Sequence, residues 1–346
     1  MSEGGESRAH RSLEIGDHTP IFSSPDCEGG LFDLYSDVKG QPTVMVFLGD
    51  ACLKKNAQKI AAAVDFDTEQ AQIVTFVNGT PEQVLDIKQA ADWPHQTVAD
   101  TAGEITTALA TMSDVPVPSV YVLDPNQRIA GMINLDEIGD NLVPWVKEHV
   151  RVAAHDSTEE IITRAAPVLI IPRVLEQQDC DWLIGLWRDG EKHQGQIALG
   201  ATASETRGVN AAFKRREDYV VNDLETYNRI INRLMPRMVP EVSKIYHFEN
   251  WKIEAFRIGC YKAEDQGFFH VHRDDCNPSV KHRKFAVTIN LNAGAYEGGD
   301  LRFPEYGNEL YQPPAGGAVI FSCSMLHEVM PVTTGERFVL LTFLTE

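Results

Sequence analysis

Gly267-Phe268-Phe269-His270-Val271-His272-Arg273-Asp274 is the stretch that decides the fold of the C-terminal half. In an extended chain, residues two apart share a face. His272 and Asp274 therefore point the same way, and imidazole with carboxylate suits Fe(II). A third ligand is required. His327 offers itself in Phe321-Ser322-Cys323-Ser324-Met325-Leu326-His327-Glu328-Val329, after 52 intervening residues. It follows an apolar run that reads as a strand, so it reaches the same site across a β-sandwich. Two histidines and a carboxylate on one face leave other positions open for a cosubstrate and oxygen. Ten residues on, Arg337 opens the apolar strand Arg337-Phe338-Val339-Leu340-Leu341. A guanidinium there can grip the distal carboxylate of a dicarboxylate through two bonds. An H-x-D triplet is common by chance, so the weight lies in the whole spaced set.

The surroundings fit such a site. Residues 176–188 and 222–235 read as helices, the second stopped near Pro236 and Pro240. Strands follow over 252–261, 284–292, 300–303, 318–323 and 337–344, separated by Gly, Pro and Asn turns. Helices followed by a run of strands predict a β-sandwich or jelly roll with helical support. The first half reads differently. Pro42-Thr43-Val44-Met45-Val46-Phe47-Leu48, Gln72-Ile73-Val74-Thr75-Phe76-Val77 and Ser119-Val120-Tyr121-Val122-Leu123 are strands. Helical spacing marks 51–64 and 137–150, Pro81 opens a helix behind Thr80, and residues 128–133 return as a hairpin partner. This alternation predicts an α/β domain. A linker is expected near 151–164.

With 346 residues, 43% of them apolar and 23% charged, the chain has material for two folded domains. No apolar run approaches the ~20 residues of a membrane span. The net charge of -19 disfavours nucleic acid. Most of that charge sits in residues 1–155, net -13, against -6 for 156–346. Six scattered cysteines without a C-x-x-C pair, and no apolar leader at the start, give the expectation of a reduced, cytoplasmic protein.

Residues 166–346 resemble the prolyl 4-hydroxylase-like family of Fe(II)/2-oxoglutarate-dependent dioxygenases. The resemblance is carried by residues 267–274, by Tyr296-Glu297-Gly298-Gly299-Asp300-Leu301, and by His327-Glu328-Val329-Met330-Pro331-Val332-Thr333-Thr334-Gly335-Glu336-Arg337. Pro167-Val168-Leu169-Ile170-Ile171-Pro172 and Cys180-Asp181-Trp182-Leu183 fit the family's opening segment. It implies a double-stranded β-helix at 165–346, iron on His272, Asp274 and His327, and 2-oxoglutarate anchored by Arg337. Tyr261 stands where the family often has a tyrosine touching the cosubstrate. The implied cofactors are Fe(II), 2-oxoglutarate as cosubstrate and ascorbate. The implied reaction hydroxylates a prolyl residue, another protein side chain or a small amino-acid-like molecule, releasing succinate and CO2.

Three other readings of single residues stay open. His270 lies on the strand face of His272 if the strand is regular, so it lines the pocket rim, faces solvent or joins an all-histidine site. Arg273, Asp275, Asn290, Asn292 and Arg302 contact substrate or serve turns and edges. Cys276 and Cys323 read as small apolar side chains.

Residues 13–150 resemble the peroxiredoxin branch of thioredoxin-like folds, on Ile15-Gly16-Asp17-His18-Thr19-Pro20-Ile21-Phe22, residues 39–48 and Val117-Pro118-Ser119-Val120-Tyr121-Val122-Leu123-Asp124. Pro118 is a candidate cis-proline. Cys52 falls where the active cysteine would stand, at a helix start beside Lys54 and Lys55, a setting that lowers a thiol pKa. The flanking family residues are replaced by Met45 and Gly49, and a thioredoxin's second cysteine by Lys55. Two rival functions follow: a thiol peroxidase or redox sensor using Cys52, and a non-catalytic binding protein. Peroxiredoxin-like domains often self-associate, which leaves a homo-oligomer open.

Overall fold

The structure is a computed structural model describing residues 11–38, 40–49, 71–154, 161–199, 206–249 and 251–346. Cys52, its neighbouring lysines and the helix expected over 51–64 lie outside the described residues. The chain divides into two compact units, Met1–Thr158 and Glu159–Glu346.

The first unit is built on a five-stranded sheet. Its order is Gln96–Asp100, Gln72–Asn78, Thr43–Leu48, Ser119–Leu123 and Ile129–Asn134. The first three strands run parallel and the last two antiparallel. Thr43–Leu48 is buried along its whole length, as its unbroken apolar run requires. Its parity sorts two cores. Val44, Val46 and Leu48 pack with Val84, Val146 and Val150 of the helices Pro81–Ala91 and Leu142–Ala153. Met45 and Phe47 pack on the other face with Phe76, Leu109 and Tyr121. Thr80 and Gln83 close a reciprocal cap at the start of Pro81–Ala91. The Val117–Pro118 bond is cis, as expected. The edge strand Gln96–Asp100 and the helix Glu104–Ser113 were not legible in the sequence.

Among the described residues, the second unit has two main sheets and a separate two-stranded ribbon, Ile197–Leu199 with Thr206–Gly208. The larger runs Leu169–Ile171, Ala318–Ser322, Arg283–Asn290, Val332–Thr345, Arg257–Lys262, Glu217–Val220 and His193–Gln194. The smaller runs Phe269–His272, His327–Val329, Leu301–Arg302 and Leu310–Tyr311. Val332–Thr345 is the spine, 14 residues long, paired with Arg283–Asn290 on one side and Arg257–Lys262 on the other. Phe338, Leu340 and Leu344 face the helices Gln177–Asp189 and Leu224–Tyr246. Val339, Leu341 and Phe343 face a core shared with Leu301 and Val329 of the smaller sheet. This is the jelly-roll arrangement expected, with its two sheets not closed into a barrel.

Two expectations are corrected. The helix expected to stop near Pro236 continues to Tyr246 through both prolines. Tertiary packing outweighs the missing N–H groups: Leu234, Met238 and Val242 are buried, and Arg237 donates to the Val174 carbonyl at 3.1 Å. The strand expected over 252–261 is two, Lys252–Ile253 and Arg257–Lys262. Among the described residues no helix is long and apolar enough to cross a membrane.

Candidate metal and cosubstrate site

His272, on the edge strand of the smaller sheet, faces His327 in register on the adjacent strand. Asp274 is held two residues on by its N–H bonding the Cys323 carbonyl at 2.9 Å. The three side chains converge. His272 Nε2 stands 3.4 Å from one Asp274 carboxylate oxygen, and His327 Nε2 stands 3.4 Å from the other. Ligand atoms bound to one metal at roughly 2.0–2.2 Å stand about 3 Å apart, so this triad is close to that spacing.

The protonation pattern suits a metal as well. His272 Nδ1 donates to the His270 carbonyl at 2.7 Å, and His327 Nδ1 donates to the Met325 carbonyl at 3.0 Å. A carbonyl only accepts, so each Nδ1 carries the hydrogen and each Nε2 offers a lone pair. His272 Nε2 is buried and has no hydrogen-bond partner. Burial pushes His327 down to about 4, with His272 adding to the shift against the pull of Asp274. Burial by itself would raise Asp274. His327, His272 and Arg283 outweigh it and hold the carboxyl well below the usual range. Two imidazoles and a carboxylate are the donor set a divalent iron takes. Among the described residues this is the cluster that could hold a metal ion.

The same triad lines a cavity of about 460 Å³ together with Arg337 and Tyr261. Arg337 is buried, and Asn290 Oδ1 accepts from its Nη2 at 3.0 Å. Its Nε is buried without a partner. A guanidinium held on one side and unsatisfied on another is prepared for an anion. Tyr261 is opposite Arg337 in the strand register, with the guanidinium carbon 5.4 Å from its ring centre. Its hydroxyl accepts from Arg216 Nη1 at 3.3 Å.

The remaining candidates separate cleanly. Asn290 braces Arg337, and Asn292 Oδ1 accepts from the Phe338 N–H. Arg302 pairs with Glu328, Arg273 with Glu305, and Asp275 accepts from Ser324 and Lys281. His270 is exposed and stands outside the triad, because the register shifts between Phe269 and His272. Cys323 is buried, while Cys276 is exposed and reaches the cavity wall. Sequence reasoning missed Lys214, Arg216, Asp218 and Arg257, which also line the cavity. The first three lie in the run Lys214-Arg215-Arg216-Glu217-Asp218, which carries no spacing rule, and Arg257 stands apart from it in the chain.

The sequence model of the 2OG-Fe(II) oxygenase superfamily matches residues 256–345. That segment contains the triad, Tyr261, Asn290 and Arg337. Residues 256–345 thus carry the sequence pattern of the 2OG-Fe(II) oxygenase superfamily. The model of the AhpC/TSA family matches residues 15–132, so the oxygenase domain follows a thioredoxin-like domain. A PKHD-type hydroxylase from Thioalkalivibrio sulfidiphilus is 28% identical over 49% of this chain and 74% of its own length. The multifunctional procollagen lysine hydroxylase and glycosyltransferase of Rattus norvegicus is 24% identical over 61% of this chain. The chain spans only 28% of the length of that relative. Among solved structures, the viral collagen prolyl hydroxylase of Paramecium Bursaria Chlorella virus-1 matches 51% of this chain and 94% of its own. It does so at 18% identity and a TM-score of 0.39. Peroxidoxin BcpB from Mycobacterium tuberculosis matches 41% of this chain and 99% of its own, at 16% identity and a TM-score of 0.35.

Proposed function

We propose that this protein is an Fe(II)- and 2-oxoglutarate-dependent dioxygenase that hydroxylates a prolyl or other amino-acid-type substrate. The observation that carries the proposal is the convergence of His272, Asp274 and His327 in one cavity with Arg337. In this reading the triad holds iron, which when bound supplies oxygen activation coupled to decarboxylation of the cosubstrate. Arg337 binds the distal carboxylate of 2-oxoglutarate, and Asn290 keeps its fork aimed. Tyr261 packs against that guanidinium and limits where the cosubstrate chain lies. Phe321, Leu341 and Phe343 give the cavity apolar walls, which strengthens every charged contact inside it. The proposed domain limits are 13–150 and 165–346, the reductant is ascorbate, and the compartment is cytoplasmic.

The test is anaerobic addition of Fe(II) and 2-oxoglutarate to the full-length protein. A visible metal-to-ligand charge-transfer band is expected, followed by succinate once oxygen is admitted. Folded protein without the band overturns the proposal. The AhpC/TSA match favours a second reading, peroxide reduction at Cys52. Peroxide consumption that only Cys52→Ser abolishes would support it.

A further inference from the structure

Among the described residues, six cations line the cavity, Lys214, Arg216, Arg257, Arg273, Arg283 and Arg337, against two carboxylates, Asp218 and Asp274. Four of the six have an assigned partner. Glu254 takes the Arg283 fork at 2.7 and 2.8 Å, and Glu305 takes Arg273. Asp218 accepts from Arg216 at 2.8 Å. Arg337 has Asn290 and, on the proposed function, the cosubstrate. A divalent metal with Arg337 then balances the charges of Asp274 and a dicarboxylate.

Lys214 and Arg257 are left over. The Arg257 guanidinium makes no hydrogen bond and no ion pair with a described residue, and Asp218 and Glu254 attract it only from farther away. Lys214 is 5% exposed. Its ammonium reaches the Gln196 carbonyl at 3.2 Å and lies 4.0 Å from Asp218, whose carboxylate is already engaged by Arg216. A buried cation whose counter-charge is shared or distant is costly, so such a pair persists where a ligand supplies more negative charge. The place is also right. Lys214 sits 4.7 Å from the centre of the Phe269 ring, and that ring stacks on His272 at 3.6 Å. Arg257 shares a strand face with Tyr261 and lies opposite Leu341, another residue of the cavity wall.

We propose that Lys214 and Arg257 form a second anion subsite beside the metal centre, and that the substrate presents a carboxylate to it. This rests on the proposed function, whose metal and cosubstrate fill the rest of the cavity. Two sources carry that chemistry: the α-carboxylate of a free amino acid, or the acidic side chain of a residue within a peptide. The chain as a whole carries a net charge of -19. The cavity reverses the sign of its surroundings and selects an acidic substrate.

The test titrates three probes into anaerobic, Fe(II)- and 2-oxoglutarate-loaded full-length protein by calorimetry. N-acetyl-L-glutamine offers only an α-carboxylate, N-acetyl-L-glutamate α-amide only a side-chain carboxylate, and N-acetyl-L-glutamine amide neither. At least one acidic probe is expected to bind tenfold or more tightly than the neutral one, and which one does identifies the source. Arg257→Gln and Lys214→Gln are each expected to bring that ratio towards one, and Arg257→Lys to restore much of it. Equal binding of all three probes to the wild-type protein, absence of binding included, overturns the inference. So does a preference for acid that survives both substitutions. The charge-transfer band is read in every sample. Its absence from the wild-type protein would sink the proposed function, whereas its presence without an acidic preference sinks the subsite alone.

Discussion

Replacing Arg337 probes the centre of the mechanism, because its side chain is buried and has one defined partner. Arg337→Lys keeps the positive charge. It gives up the planar fork that now donates to Asn290 on one edge and leaves Nε free on the other. Losing one hydrogen bond to a charged carboxylate costs about 1.5–3 kcal/mol. That is about a 10- to 150-fold rise in the KM for 2-oxoglutarate. Arg337→Gln removes the charge and leaves the cosubstrate carboxylate buried and unpaired, at a cost of about 2–5 kcal/mol. The corresponding rise is roughly 30-fold to more than a thousandfold. Oxygen-dependent succinate formation against 2-oxoglutarate concentration gives KM, and anaerobic titration of the charge-transfer band gives a Kd independent of turnover. Both should move together, and Arg337→Gln should exceed Arg337→Lys. A KM within twofold of wild type for Arg337→Gln, with the band intact, would refute Arg337 as the anchor.

Other consequences are equally direct. His272→Ala should lose the charge-transfer band and the rise in melting temperature on adding Fe(II), while Cys52→Ser keeps both; calorimetric melts check the second readout. In the first unit, His95 is buried against Thr75 and pushed down to about 4, first by burial and then by Lys88. Its folded pKa lies below the unfolded value of 6.5, so the unfolded chain takes the proton first. Stability is therefore full above pH 6.5, falls as the pH drops, and levels off below about 4, with about 2 kcal/mol lost by pH 5. Urea unfolding at pH 7.5 and 5 should show that slope, and a His95→Gln protein with the same slope would contradict it. Gly259→Ala places a Cβ 2.8 Å from Arg216 Cδ and 3.2 Å from an Asp218 oxygen. Such overpacking should cost about 1–3 kcal/mol of stability and disturb the donor to Tyr261, seen as a lower melting temperature and a higher KM for 2-oxoglutarate.

The candidate ligands were legible from residue type and spacing, although the strand ends at His272 and Asp274 stands in the turn after it. Strand parity puts Arg337 on the side of Val339 and Leu341, away from Phe338 and Leu340, but the run is apolar on both faces, so packing decides which face meets the site. The strands Thr43–Leu48 and Ser119–Leu123 were legible for a related reason, since buried central strands read as continuous apolar runs. The helix through Pro236 was not, because local propensity argues for a stop and only its buried face argues against one. His270 shows the limit of the period-two rule, which fails wherever the register slips.

The sequence by itself determined which side chains are candidate ligands, because residue identity and local spacing are written in covalent order. It could not determine what surrounds them. Lys214 and Arg257 are 43 positions apart in the chain, and nothing local links them. Only the pairing of Glu217–Val220 with Arg257–Lys262, and the bridge from Lys214 to Phe269, brings both to one cavity. Charge balance in that cavity is a sum over neighbours in space, and neighbours in space are what folding alone decides.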